Sequence, residues 1–254
     1  MKLIILKRSF TTTAMTIALI DSDIVAYRIA FACENENEVT ARRRLDSYLT
    51  DILVCGVDST YPDCFVDSWK LFLTGKTNFR KDVAVTAVYK GNRVAPKPEH
   101  LPALRQHMIE EWGASVSEGQ EADDDVAIAG TEYGDDGIMV SLDKDIDQVA
   151  GWHYNFVKKT GYYVSEAEGL FKLYCQILTG DTADNIIGIK GVGPVKANKI
   201  LDGCVYEYDM YCRCVEAYDG NEDRVIENAR LLYLRRKKDE PLWTPPNTHL
   251  NPTM

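Results

Sequence analysis

The sequence predicts an α/β protein with a central, mainly parallel sheet flanked by helices, followed by a helical unit. Three observations carry this expectation. Short apolar runs suited to buried strands occupy residues 16–20, 64–73 and 137–142. Segments with helical periodicity separate them. The first and third runs end in carboxylates, Asp21-Ser22-Asp23 and Asp143-Lys144-Asp145. In a parallel sheet such residues stand at the strand ends that face a ligand crevice.

The chain has 254 residues, of which 45% are apolar and 27% charged, enough for one large domain or a domain with a small appendage. A net charge of −10 argues against indiscriminate binding to a polyanion, although an acidic metal site can coexist with a basic path elsewhere. The seven cysteines show neither C-x-x-C pairs nor a Cys/His ligand spacing, so they read as reduced thiols of a cytoplasmic protein. No run is apolar and long enough to span a membrane. Residues 1–14 read as a leader or a mis-assigned start, with the domain opening at Met15.

After the first run, Asp21 either lines a site or merely caps the next helix, which runs to about residue 32. Residues 38–57 read as one amphipathic helix with Leu45, Leu49, Ile52 and Leu53 on its apolar side. The second strand leads into Lys76, Arg80 and Lys81, then into Tyr89-Lys90-Gly91-Asn92-Arg93. There a ring able to stack on a base stands beside two cations able to hold a backbone. A proline-rich turn and a helix at 101–112 follow, then a short strand at 113–117. Glu121-Ala122-Asp123-Asp124 opens the next helix; one or two acids would suit its dipole, but so dense a cluster calls for a cation. Asp143 and Asp145 follow the third run. A hairpin spans 152–164, and 206–238 is mainly helical, ahead of a proline-bearing tail at 239–254.

Residues 176–201 form the most distinctive stretch: a helix end, an acidic turn with Asp181 and Asp184, a glycine-rich turn and a second helix. The two aspartates could bind a hard cation or cap a helix. Gly188, Gly191 and Gly193 precede Pro194 at a first helical position, with Lys190, Lys196 and Lys199 around them. Such a turn suits close approach of a phosphate, or an ordinary helix connection.

Together, GD-x-x-DN, GIKGVGP, E-A-D-D, S-x-D-x-D and Y-K-x-x-R after an F-R pair resemble the 5′-nuclease (flap endonuclease) superfamily in residue type and order. They look most like the small bacteriophage 5′–3′ exonucleases. The resemblance covers residues 15–238. It implies a nuclease core at 15–165 with a short arch segment at 76–112, and a helix-three-turn-helix DNA-binding subdomain within 166–238. It also implies metal ligands at Asp21, Glu121, Asp123, Asp124, Asp143, Asp145, Asp181 and Asp184, and catalytic cations at Lys90 and Arg93. DNA contacts would come from Arg80, Tyr89, Lys190, Gly191, Gly193, Lys196 and Lys199, with a K⁺ site at the glycine hairpin. Oxygen-only ligation selects Mg²⁺, with Mn²⁺ as a substitute, and two such ions suit phosphodiester hydrolysis. The implied partners are DNA with a 5′ end or flap and RNA–DNA hybrids. The implied setting is replication, primer removal or DNA degradation, and no membrane is involved.

Where many relatives carry a further Asp at the end of the second strand, this chain has Thr74-Gly75. That difference supports one alternative, an inactive DNA-binding homologue. A PIN-type or RNase H-like ribonuclease is the other, and the glycine hairpin speaks against it.

Overall fold

The computed structural model describes residues 15–57, 60 and 65–247, so the expected leader at 1–14, the start of the second run and the end of the tail lie outside the described residues. Strand β1 (Met15–Asp21) is the middle of the sheet: Ala18, Leu19 and Ile20 are fully buried, each large side chain contributing about 1.5–3 kcal/mol relative to exposure. It pairs in parallel with β2 (Phe65–Thr74) on one side and with β4 (Gly137–Val140) on the other. Strand β3 (Ser115–Ser117) extends the sheet beyond β2, and β5 (Gly151–Asn155) extends it beyond β4, both in parallel. Only β6 (Thr160–Val164) runs antiparallel, closing the order β3-β2-β1-β4-β5-β6. Trp152 and Tyr163 meet edge to face at 5.1 Å across that last pair, which fixes its register.

Helices cover both faces. Helices α1 (Ser22–Ala32), α2 (Glu38–Thr50) and α4 (Leu101–Trp112) share one core with the sheet, through Val25, Leu45, Leu49, Leu104 and Met108. The expected single helix at 38–57 is α-helical only to Thr50 and continues as a π-helical segment, Asp51–Val57. A short helix, α3 (Arg80–Val83), follows β2, and α5 (Ala122–Tyr133) packs on the opposite face.

Past the sheet, α6 (Glu166–Thr179) has Ser165 as its N-cap, with Glu168 accepting a hydrogen bond from the Ser165 backbone in return. A two-residue antiparallel ribbon, β7 (Gly180–Asp181) with β8 (Ile186–Ile187), flanks the acidic turn expected there, which lies at 182–185. The ribbon exists because Gly180, at φ 67°, lies against Gly188, where a side chain on either would strike backbone within 2.3 Å. Helix α7 (Pro194–Ile200) starts at the proline, as the sequence predicts, and α8 (Glu207–Ala217) and α9 (Glu222–Leu232) complete a second core around Tyr174, Ile177 and Leu178. Helix α9 ends at Leu232, so 233–238 is not helical as expected. Among the described residues Cys33, Cys175, Cys204, Cys212 and Cys214 are free thiols, and no helix is long and apolar enough to cross a membrane.

Candidate active site

The carboxyl ends of β1 and β4 lie side by side, so the two acidic motifs that follow them converge. Asp21, almost fully buried at the end of β1, accepts a hydrogen bond of 3.2 Å from the Ser141 hydroxyl beyond β4. Burial, then the neighbouring charges of Asp23 and Asp143, push its pKa up to about 7. Asp143 is raised by burial and by Asp184 and Asp181, and Asp145 is pushed up to about 7 by burial, Asp143 and Asp181. These mutual effects place carboxylates from β1, from the loop after β4 and from the β7–β8 ribbon in one electrostatic neighbourhood. Lys144 bridges to Asp181 at 3.2 Å, and Gln176 of α6 donates to Asp145 at 2.6 Å.

The second half of the site is a clasp between residues 88–93 and the 182–185 turn. Lys90 takes the left-handed conformation, φ 55°, and its amide donates to the Asp184 carbonyl at 2.8 Å. Asn92 donates to the Thr182 carbonyl at 2.7 Å, Asn185 to the Val88 carbonyl at 2.9 Å, and Arg93 to Asp184 Oδ1 at 2.5 Å. Within this frame Lys90 Nζ lies 2.5 Å from Glu121 Oε1 and 3.5 Å from Asp184 Oδ2. The Tyr89 hydroxyl lies 2.7 Å from Glu121 and 2.8 Å from Asp184. A phenol has one hydrogen for two acceptors, so it bridges a carboxylate of the sheet domain to one of the helical unit. Asp123, half-buried beside Glu121, has its pKa raised well above the ordinary carboxylate value by desolvation and by Asp124.

Three expectations need correction. Tyr89 is 7% exposed, with its hydroxyl turned to carboxylates, so its ring cannot stack on a base. Arg80 is 2% exposed and donates to Asp124 at 2.5 and 2.9 Å, and to the Leu231 and Tyr233 carbonyls, which removes it from any DNA contact. Asp124 in turn accepts from Arg80 and from the Glu121 and Arg235 amides, leaving no oxygen for an ion; Arg80 holds its pKa down despite burial. A basic residue after Phe79 gives no sequence signal of burial, and Asp124 differs from Asp123 by one position only.

Lys190, Gly191, Gly193, Lys196 and Lys199 are exposed around the start of α7, with Gly191 at φ 77°. At the end of β2, where many relatives carry Asp, Asp23 of α1 accepts from the Thr74 amide at 2.7 Å and pairs with Arg105 of α4. The Thr74 hydroxyl accepts from the Ala122 amide at 3.0 Å and so anchors the start of α5. Asp23, Arg105, Ser141, Lys144 and Gln176 have no role assigned from sequence, because each acts through a contact between distant segments.

The donor set fits hard divalent ions in chemistry: it is all oxygen, and burial together with neighbouring carboxylates raises the pKa of Asp21, Asp143 and Asp145, which a bound cation would relieve. Among the described residues, no three acidic, His or Cys side chains converge tightly enough to ligate an ion as they stand, since Glu121, Asp184 and Asp181 are turned to lysine and arginine.

No family model matches the chain. Thermostable DNA polymerase I of Thermus aquaticus is 32% identical over 131 residues, covering 45% of this chain and 16% of the polymerase. The chain thus spans less than a quarter of the length of the polymerases it matches. Flap endonuclease Xni of Shewanella woodyi is 29% identical over 202 residues, covering 73% of this chain and 77% of that protein. The crystal structure of the bacteriophage T5 D15 flap endonuclease with DNA and metal ions superposes with a TM-score of 0.60 at 18% identity, over 85% of this chain and 88% of that one. Relatives and architecture point the same way: the homologues of the chain are flap endonucleases, a 5′–3′ exonuclease and DNA polymerases I, and its motifs resemble those of the 5′-nuclease superfamily.

Proposed function

We propose that the chain is a metal-dependent 5′–3′ exonuclease and structure-specific 5′ flap endonuclease that hydrolyses DNA phosphodiesters in the cytoplasm. The observation that carries this reading is the electrostatic neighbourhood of Asp21, Asp143, Asp145, Asp181 and Asp184, drawn from separate segments, with Glu121 and Asp184 paired to Lys90 and Asp184 to Arg93. Asp21, Asp123, Asp143 and Asp145, with Asp181, Asp184 and Glu121, would hold two Mg²⁺ ions. When bound, such a pair supplies an activated water and neutralises charge during in-line displacement. Lys90 and Arg93 would lend positive charge to the scissile phosphate, and both already stand at the rim of the acidic cluster.

The exposed lysines at α7 would hold the duplex backbone through phosphates, so recognition would depend on structure or on ends, not on sequence. On this reading 15–165 is the nuclease core and 166–238 the DNA-binding unit, with RNA–DNA hybrids as further substrates and K⁺ a ligand of the glycine turn. Asp23, Arg105 and Thr74 satisfy one another at the strand end that lacks an aspartate. The test is incubation with 5′-labelled flap and duplex DNA, with Mg²⁺ and with EDTA. Cleavage with Mg²⁺ alone supports the proposal, and binding without cleavage under both conditions overturns it.

A further inference from the structure

Lys90 stands where a catalytic cation is expected, yet its ammonium is committed to carboxylates and not held toward solvent. It lies 2.5 Å from Glu121 Oε1 and 3.5 Å from Asp184 Oδ2, three-quarters shielded from water. The left-handed backbone at Lys90 and the hydrogen bond its amide donates to the Asp184 carbonyl fix the stem, leaving only the flexible four-carbon chain to move. Lys144 stands in the same relation to Asp181, but is largely exposed.

We propose that Lys90 is the resident counter-ion of the Glu121–Asp184 pair and competes with divalent ions for these carboxylates. Binding of an ion then releases the ammonium from Glu121 and makes it available to the substrate phosphate. The inference rests on the nuclease reading above and adds an order of events, in which the phosphate-binding charge is exposed only once an ion is held. One carboxylate oxygen cannot be the close partner of both an ammonium and a divalent ion without strong repulsion between the two cations. By linkage, whatever Lys90 gains from Glu121 is subtracted from the ion's affinity.

Two measurements on the DNA-free protein test this. Calorimetric titration with Mg²⁺ compares wild type with Lys90→Met, which keeps the length of the side chain and removes its charge. The variant is expected to bind Mg²⁺ about tenfold more tightly, within the usual range of coupling between competing ligands. Unchanged or weaker affinity overturns the proposal. In wild type, the side-chain ammonium resonance of Lys90, assigned by its loss in Lys90→Arg, is expected to shift and to exchange faster with water as Mg²⁺ is added. A resonance indifferent to saturating Mg²⁺ overturns it without reliance on the folding of Lys90→Met. If wild type binds no Mg²⁺ at all, the nuclease reading falls; if it binds Mg²⁺ and cleaves DNA while Lys90 stays fixed, only the competition falls.

Discussion

Arg80 faces both carboxylate oxygens of Asp124, at 2.5 and 2.9 Å, and the two side chains are sealed from water at 2% and 0% exposure. Backbone groups of Leu231, Tyr233, Glu121 and Arg235 add further hydrogen bonds to the pair. Removing one partner strands the other charge, so Arg80→Met should cost about 3–5 kcal/mol. Asp124→Asn should likewise lower the urea midpoint while the folded fraction keeps its Mg²⁺ affinity in calorimetry. A stable Asp124→Asn protein that no longer binds Mg²⁺ would restore Asp124 to the ligand set.

Asp143 lies beyond the end of β4 with its pKa raised by burial, Asp184 and Asp181. Asp143→Asn is expected to abolish cleavage of a 5′ flap while the protein still retards the same DNA in a gel. Turnover at the wild-type rate would remove Asp143 from the machinery.

Tyr89→Phe separates stacking from bridging, because the ring stays and only the hydroxyl goes. With Glu121 and Asp184 deprived of their shared donor, a loss of about 1–3 kcal/mol in stability or in transition-state binding is expected. Wild-type kcat/KM together with wild-type stability would show that the bridge has no role.

Asp21 and Asp145 are both pushed up from the ordinary aspartate value of 3.8 to about 7. Between about pH 4 and about pH 7 the folded protein therefore holds protons that the unfolded chain has released, and their contribution to stability falls as pH rises through this window. His153 acts in the opposite sense, since its pKa is lowered by burial, so the contrast of wild type with Asp21→Asn isolates the carboxylate. Wild type should lose Tm relative to Asp21→Asn as pH rises from about 4 to about 7 in EDTA. Saturating Mg²⁺ should recover about 2.7 kcal/mol at a hundredfold excess over Kd, and more fully at the upper end of the window. A constant difference in Tm between the two proteins would contradict the raised pKa.

Lys190, Lys196 and Lys199 are exposed near the glycine turn. Changing each to Ala should weaken duplex binding evenly across sequences. The slope of log K against log salt should fall by about 0.9 for each phosphate no longer neutralised, measured by fluorescence anisotropy. A change confined to one sequence would point to base recognition instead.

The sheet was legible because β1 and β4 are short apolar runs ending in acids, and α7 because Pro194 marks its first turn. The β7–β8 ribbon was not, since two-residue strands carry no periodicity and depend on the fit of Gly180 against Gly188. Residues 51–57 keep a helical pattern while the backbone widens into a π-helix, a difference that apolar spacing does not encode. At the site, residue types announced the acids, but which cation each one meets is decided between segments. Nothing near Arg80 in sequence reveals Asp124, and nothing near Tyr89 reveals Asp184.

The clasp of residues 88–93 on the 182–185 turn has a bearing on safety within the cell. Among the described residues Tyr89 and Lys90 join Glu121 to Asp184, so on the proposed reading a chain whose last third is still emerging from the ribosome, or has melted away, would lack half of its site. On the proposed reading, such a chain would leave DNA uncut until its folding is complete.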